Sequence, residues 1–143
     1  MRMSGQIRKN AVVITLLFGL QACTHISPTA AGKQNVDAKF SSIQEKIINP
    51  RCAVPGCHVG SFPSASLNLE PSVAFEKTVN VNSVEVPTML LIKPGDAANS
   101  YLYRKIIAAP GIAGRPMPLD EKGLTPAQIE SIEKWINEGA QDN

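Results

Sequence analysis

Cys52-Ala53-Val54-Pro55-Gly56-Cys57-His58 decides how the rest of this chain is read: two thiols flank a Pro-Gly pair, and an imidazole follows the second thiol at once. The nearest chemical pattern is C-x-x-C-H, in which two thiols add across the two vinyl groups of a haem and the histidine lies under the iron. Here four residues separate the thiols rather than two. Proline followed by glycine suits a type II turn, which takes up the longer bridge. Other bonding is open to the same residues. Two cysteines this close in an exported chain can close a small disulfide. A zinc ion could take both thiolates and the imidazole, with a carboxylate needed from elsewhere as its fourth ligand.

The N-terminal end bears on that choice. Arg2, Arg8 and Lys9 precede an uncharged, mostly apolar run from Ala11 to Leu20, so residues 1–22 read as a secretory signal. The run is far shorter than the roughly 20 residues that cross a bilayer as a helix. It stops at Leu20-Gln21-Ala22-Cys23, which resembles a lipobox; the resemblance implies that Cys23 becomes an acylated N-terminus anchored in the lipid bilayer. An ordinary signal cut nearby would instead leave Cys23 free. Thr24 stands where an inner-membrane lipoprotein often carries aspartate, so the likeness to that sorting pattern implies the outer membrane, facing the periplasm. Removing the leader takes 3 of the 14 basic residues, leaving 11 against 12 acidic ones. With no basic patch left to meet a phosphate backbone, nucleic acid is excluded as a partner. With Cys23 assigned to lipid, Cys52 and Cys57 remain in a compartment where free thiols oxidise, so both are expected to be bonded to something.

Residues 23–36 are polar and lack an apolar period, which reads as a flexible tether, with His25 a solvated residue inside it. Residues 37–143 then form one domain, mostly α. Phe40, Ile43 and Ile47 give a helix over Asp37–Ile48, capped by Asp37 and ended by Asn49-Pro50. A short helix is expected to start at Pro71, and Val84–Ile92, interrupted by Pro87, is at most an extended edge segment. Asn99-Ser100 caps a helix from Tyr101 to Ala108 with Leu102, Tyr103, Ile106 and Ile107 apolar. Residues 109–123 hold three prolines and three glycines and form a loop. The last helix is the clearest: Thr125 caps, Pro126 takes the first position, Gln128 completes a capping box, Gly139 stops it, and Ile129, Ile132, Trp135 and Ile136 make its buried stripe.

A haem reading makes demands on the remaining residues. His58 would bind iron through one ring nitrogen, and the other should donate to a backbone carbonyl between Ser61 and Leu69. The sixth ligand decides the chemistry, since a thioether favours electron transfer. Once the leader is gone, Met89 and Met117 are the candidates. Met89 sits in Met-Leu-Leu-Ile, where a methionine fills apolar space. Met117 lies between Pro116 and Pro118, and a sulfur on a stiff loop is better kept on a metal, so Met117 is preferred with Met89 as fallback.

The order of a first helix, C-x(n)-C-H, Leu67-x-Leu69, Pro94-Gly95-Asp96, Asn99-Ser100-Tyr101-Leu102, Met117-Pro118 and Ile129-x-x-Ile132-x-x-Trp135-Ile136-x-x-Gly139-Ala140 resembles the cytochrome c-like domain of planctomycete-type c cytochromes. The likeness spans Ile43 to Ala140, and the thiol spacing departs from the commonest pattern. It implies a small cytochrome c-like fold with N- and C-terminal helices packed around one covalent haem c. It also implies thioether bonds at Cys52 and Cys57, iron ligation by His58, and the distal sulfur from Met117. The expected function is one-electron transfer between periplasmic or membrane redox proteins, with no substrate transformed. Two other readings stand beside it: a haem protein with an open or labile sixth site, peroxidase-like or gas-sensing, and a haem-free scaffold lipoprotein stapled by a disulfide.

Overall fold

A computed structural model describes residues 35–143. The signal segment, Cys23, His25 and the tether up to residue 34 lie outside the described residues. The described chain is a small, mostly helical fold without a β-sheet: two isolated bridges, Val79 with Ile92 and Asn82 with Leu90, are its only β-type pairings among the described residues.

Helix α1, Phe40–Ile43, runs without a break into a π-helical turn, Gln44–Ile48, and then into α2, Asn49–Arg51. Further helices are α3 (Ala74–Thr78), α4 (Tyr101–Ile106) and α5 (Pro126–Asn137). α1 and α4 both pack on α5. The contact is aromatic at its centre: the Phe40 ring lies 5.5 Å from that of Trp135 and meets Phe75 edge-on at 5.2 Å. Ile43, Ile47, Ile92 and Ile136 are the most deeply buried large side chains around it. α5 keeps the predicted ends. The Thr125 hydroxyl accepts from the Gln128 N–H at 3.3 Å, the Gln128 side chain accepts from the Thr125 N–H at 2.9 Å, and Gly139 follows the helix at a φ of 101°.

Elsewhere the structure corrects the sequence reading. Val36, assigned to the tether, is only 8% exposed and belongs to the core, and its carbonyl accepts from the Ser131 hydroxyl at 2.7 Å. Asp37 does not cap the first helix. The Phe40 and Ser41 N–H groups donate to the side-chain and backbone oxygens of Asn143, both at 2.9 Å, while the Asp37 N–H donates to the Ser42 hydroxyl. Nor does Asn49-Pro50 end the helical run. The Asn49 N–H reaches five residues back to the Gln44 carbonyl, and this wider turn lets the chain continue to Arg51 past a residue with no N–H to give.

The expected Pro71 start shifts to Ala74, because Glu70 first closes a turn by accepting from the Val73 and Ala74 N–H groups. Val84–Ile92 is bent at its start, where the Ser83 hydroxyl accepts from the Glu85 and Val86 N–H groups, and pairs only at its end, through the Leu90 and Ile92 bridges. Ser100 holds the N-cap position of α4 but its side chain makes no capping bond, and Asp96 instead caps a 3-10 turn over Ala97–Asn99, accepting from the Asn99 N–H at 3.2 Å. α4 itself ends at Ile106. Ala108 has a φ of 54°, and Ile107 turns outward, 41% exposed.

Candidate functional site

α2 ends where the thiol motif begins. The Ile48 carbonyl accepts from both the Cys52 and Ala53 N–H groups, at 2.8 and 2.7 Å, so Cys52 is fixed to the end of a helix whose apolar side faces the core. The five-residue step to Cys57 is then compact. The Cys57 N–H donates to the Val54 carbonyl at 3.0 Å with Gly56 at a φ of 80°, the Pro-Gly turn expected from sequence, and the His58 N–H closes back on the Cys52 carbonyl at 3.2 Å. Cys52 and Cys57 are both free thiols.

Segment 64–69 wraps against His58. The Ser64 N–H donates to the Cys57 carbonyl and the Leu69 N–H to the His58 carbonyl, each at 2.8 Å. His58 Nδ1 lies 3.1 Å from the Leu67 carbonyl oxygen, inside the stretch expected to supply such a partner. A carbonyl can only accept, so that contact places the proton on Nδ1 and leaves the Nε2 lone pair free to bind a metal.

A cavity of about 360 Å³ lies next to these groups. Small-molecule and cofactor sites span roughly 300–1,000 Å³. Cys52, Cys57 and His58 line it from the motif and Met117 from residues 109–123; Ile43, Ile47, Leu69, Leu102, Leu124 and Trp135 supply apolar wall. Val84 and Leu119, 63% and 52% exposed, mark its mouth. Met89 does not line it: its N–H and carbonyl are spent inside the bend, on Val86 and Ser83. Although the two thiols and the imidazole share a cavity, among the described residues no three His, Cys, Asp or Glu side chains gather closely enough to hold a metal ion. Tetrahedral zinc needs its ligands about 2.0–2.3 Å from one point, so the fourth ligand that a zinc site required is not supplied.

The electrostatics set the groups apart. Burial pushes the Cys52 thiol up to about 11, outweighing the opposite pull of Arg51, while Cys57 and Asp120 add to the rise. Arg51 also reaches over the site. Its guanidinium meets both Asp120 carboxylate oxygens at 2.8 and 2.6 Å and the Gly123 carbonyl at 2.7 Å, pinning the far end of the Met117 loop beside the motif. That bond, against slight desolvation, holds the Asp120 carboxyl below its ordinary range, helped by the Gly123 and Lys122 N–H groups.

Three further cavity residues were not singled out from sequence: Glu85, Tyr101 and Lys105. Desolvation works to raise the Glu85 carboxyl, but hydrogen bonds from Tyr101 and Lys105 and the lysine's charge outweigh it, so the group is held low. Tyr101 is pushed up, first by burial and then by Glu85, against the Ala113 N–H. The signal available in sequence was the four-residue spacing of Tyr101 and Lys105, which puts both on one helix face. Among the described residues no helix is long and apolar enough to cross a membrane. Set against known proteins, the chain matches no family model, no curated protein and no solved structure.

Proposed function

We propose that this cavity holds one haem c and that the protein is an electron-transfer cytochrome, tethered to the cell envelope through Cys23. It passes single electrons between periplasmic or membrane redox partners. The observation that carries the reading is that one apolar cavity is lined by both thiols and the imidazole of a single motif, the imidazole with Nδ1 already engaged, and by Met117 from a loop 59 residues further along the chain than His58.

The haem, when bound, supplies a one-electron change at iron. The residues do the rest. Cys52 and Cys57 hold the group through thioether bonds at its edge, which explains why their sulfurs need not converge with His58. The Leu67 carbonyl fixes the His58 ring and its tautomer, so Nε2 is presented without rotational freedom. Met117 gives the second, weaker ligand, and the apolar wall excludes water, favouring the reduced state. Packing of Phe40 on Trp135 would then correspond to the N- and C-terminal helix contact of a cytochrome c-like fold.

The test is export of the full chain in cells carrying a cytochrome maturation system, followed by haem staining on a denaturing gel. A stained band at the mass of the processed chain is expected. A colourless band with Cys52 and Cys57 joined in a disulfide would refute the reading in favour of a scaffold. Ferric absorption spectra then separate the ligands: Met117→Ala loses the sulfur-to-iron band in the red and turns high-spin, whereas Met89→Ala keeps it. A wild type already high-spin would point instead to an open sixth site.

A further inference from the structure

Glu85, Tyr101 and Lys105 form a closed hydrogen-bonded group in the cavity wall, and each chain of bonds from it ends on the loop that carries Met117. The Tyr101 hydroxyl donates to Glu85 Oε2 at 2.8 Å and accepts from the Ala113 N–H at 3.0 Å. Lys105 Nζ lies 3.1 Å from the same Glu85 oxygen and donates to the Ala113 carbonyl at 2.8 Å. The two side chains, one turn apart on α4, thus take both polar groups of Ala113 between them. Four residues on, the Met117 N–H donates to the Lys105 backbone carbonyl at 3.0 Å.

Filling space does not require this arrangement. The Lys105 side chain is 8% exposed, and burying an ammonium is unfavourable unless it is paired and fully bonded. A leucine or methionine would occupy the same volume without that desolvation. What the charged group adds is direction: with Glu85 compensating its charge, its remaining bond is aimed at one carbonyl of one loop. Tyr101 aims in the same way at the neighbouring N–H. A thioether is a weak iron ligand, and a ligand on a loop of prolines and glycines stays in place only if the backbone on each side of it is held. Arg51 holds the later side at Asp120 and Gly123.

We propose that Tyr101 and Lys105, bridged by Glu85, are positioning residues that hold the Met117 loop so that its sulfur stays on the iron. This rests on the haem reading for the identity of the metal, and on the hydrogen bonds above for the hold on the loop. The experiment is displacement of the methionine by added imidazole in the haem-loaded protein, followed through the ferric sulfur-to-iron band. Tyr101→Phe removes one hydroxyl and keeps the ring; Lys105→Met removes the charge and keeps the stem.

The imidazole concentration at half-displacement is expected to fall about fivefold in Tyr101→Phe, the worth of one hydrogen bond, and further in Lys105→Met. Haem staining stays at the wild-type level, because the thiols and His58 are untouched. Amide exchange at Ala113 in the reduced protein should quicken in both variants. If Lys105→Met fails to fold, Tyr101→Phe alone decides. An unchanged midpoint in Tyr101→Phe overturns the positioning role even where Ala113 exchange quickens. A wild type that takes no haem overturns the cofactor itself, a distinct result read before any variant is made.

Discussion

At the scale of single residues, His58 and Cys52 are prepared in opposite ways. His58 has one ring nitrogen tied to the Leu67 carbonyl, which leaves the other with a lone pair and a fixed direction. Cys52 is held protonated, its thiol pushed up to about 11 chiefly by burial. Thiolate is the form that attacks disulfides and alkylating reagents, so this half-buried, neutral thiol reacts only through its small ionised fraction. The consequence can be measured on reduced protein expressed without haem maturation. At pH 8 about one Cys52 in a thousand would be ionised. Alkylation of its peptide by iodoacetamide, read by mass spectrometry, should therefore rise about tenfold per pH unit towards pH 11. A rate that levels off near about 8.5, the ordinary thiol value, would show that the thiol is not buried as described.

At the scale of elements, helix ends decided what could be read in advance. α5 announces both its ends through Thr125, Pro126, Gln128 and Gly139, and the chain keeps all of them because each bond is local. Thr125→Ala should cost about 1 kcal/mol, seen as a lower urea midpoint at unchanged slope; no change would mean that the capping box is idle in solution. The first helical run was legible only in its apolar spacing. Its cap comes from Asn143, a hundred residues away, and no local rule can find such a partner. Pro50 was expected to end it, but the proline rule assumes an α-helical turn before it, and the turn over Gln44–Ile48 is wider. That difference matters for the site. A helix stopped at Ile48 would leave Cys52 on a loop, whereas continuation to Arg51 puts the first thiol on a rigid support and brings the Arg51 guanidinium to Asp120.

At the scale of the whole molecule, the thiols, His58 and Met117 could be found in sequence because their chemistry is written in adjacent residues or marked by flanking prolines. The groups that hold the Met117 loop could not. Lys105 looks like any solvated lysine until Ala113 is folded against it, and Glu85 and Asp120 look like ordinary surface acids. Those acids make the loop an acid-sensitive part of the fold, as Asp96, held low by Lys93 and Asn99, makes the turn before α4. Both carboxyls are held below their ordinary values in the folded chain, Asp120 mainly by Arg51 and Glu85 by Tyr101 and Lys105 against desolvation. A depressed folded value means that the stabilisation is fully present above the unfolded value, about 4 for a carboxyl, and is lost as pH falls through the lower folded value. This contribution is at its full, constant value between pH 5 and 7, so loop protection there should be flat. Below about pH 4, the protection factors of the Met117 and Gly123 amides, taken relative to the intrinsic exchange rate at each pH, should fall before those in α5, whose Thr125–Gln128 cap has no titrating group. Asp120→Asn separates the two anchors. It removes the acid response at Gly123 while leaving that at Ala113, because the Ala113 peptide is held through Tyr101 and Lys105. If acid instead loosens Ala113, Gly123 and α5 together in the wild type, the two ion pairs are not separate anchors of the loop, and the Met117 sulfur is held by the fold as a whole.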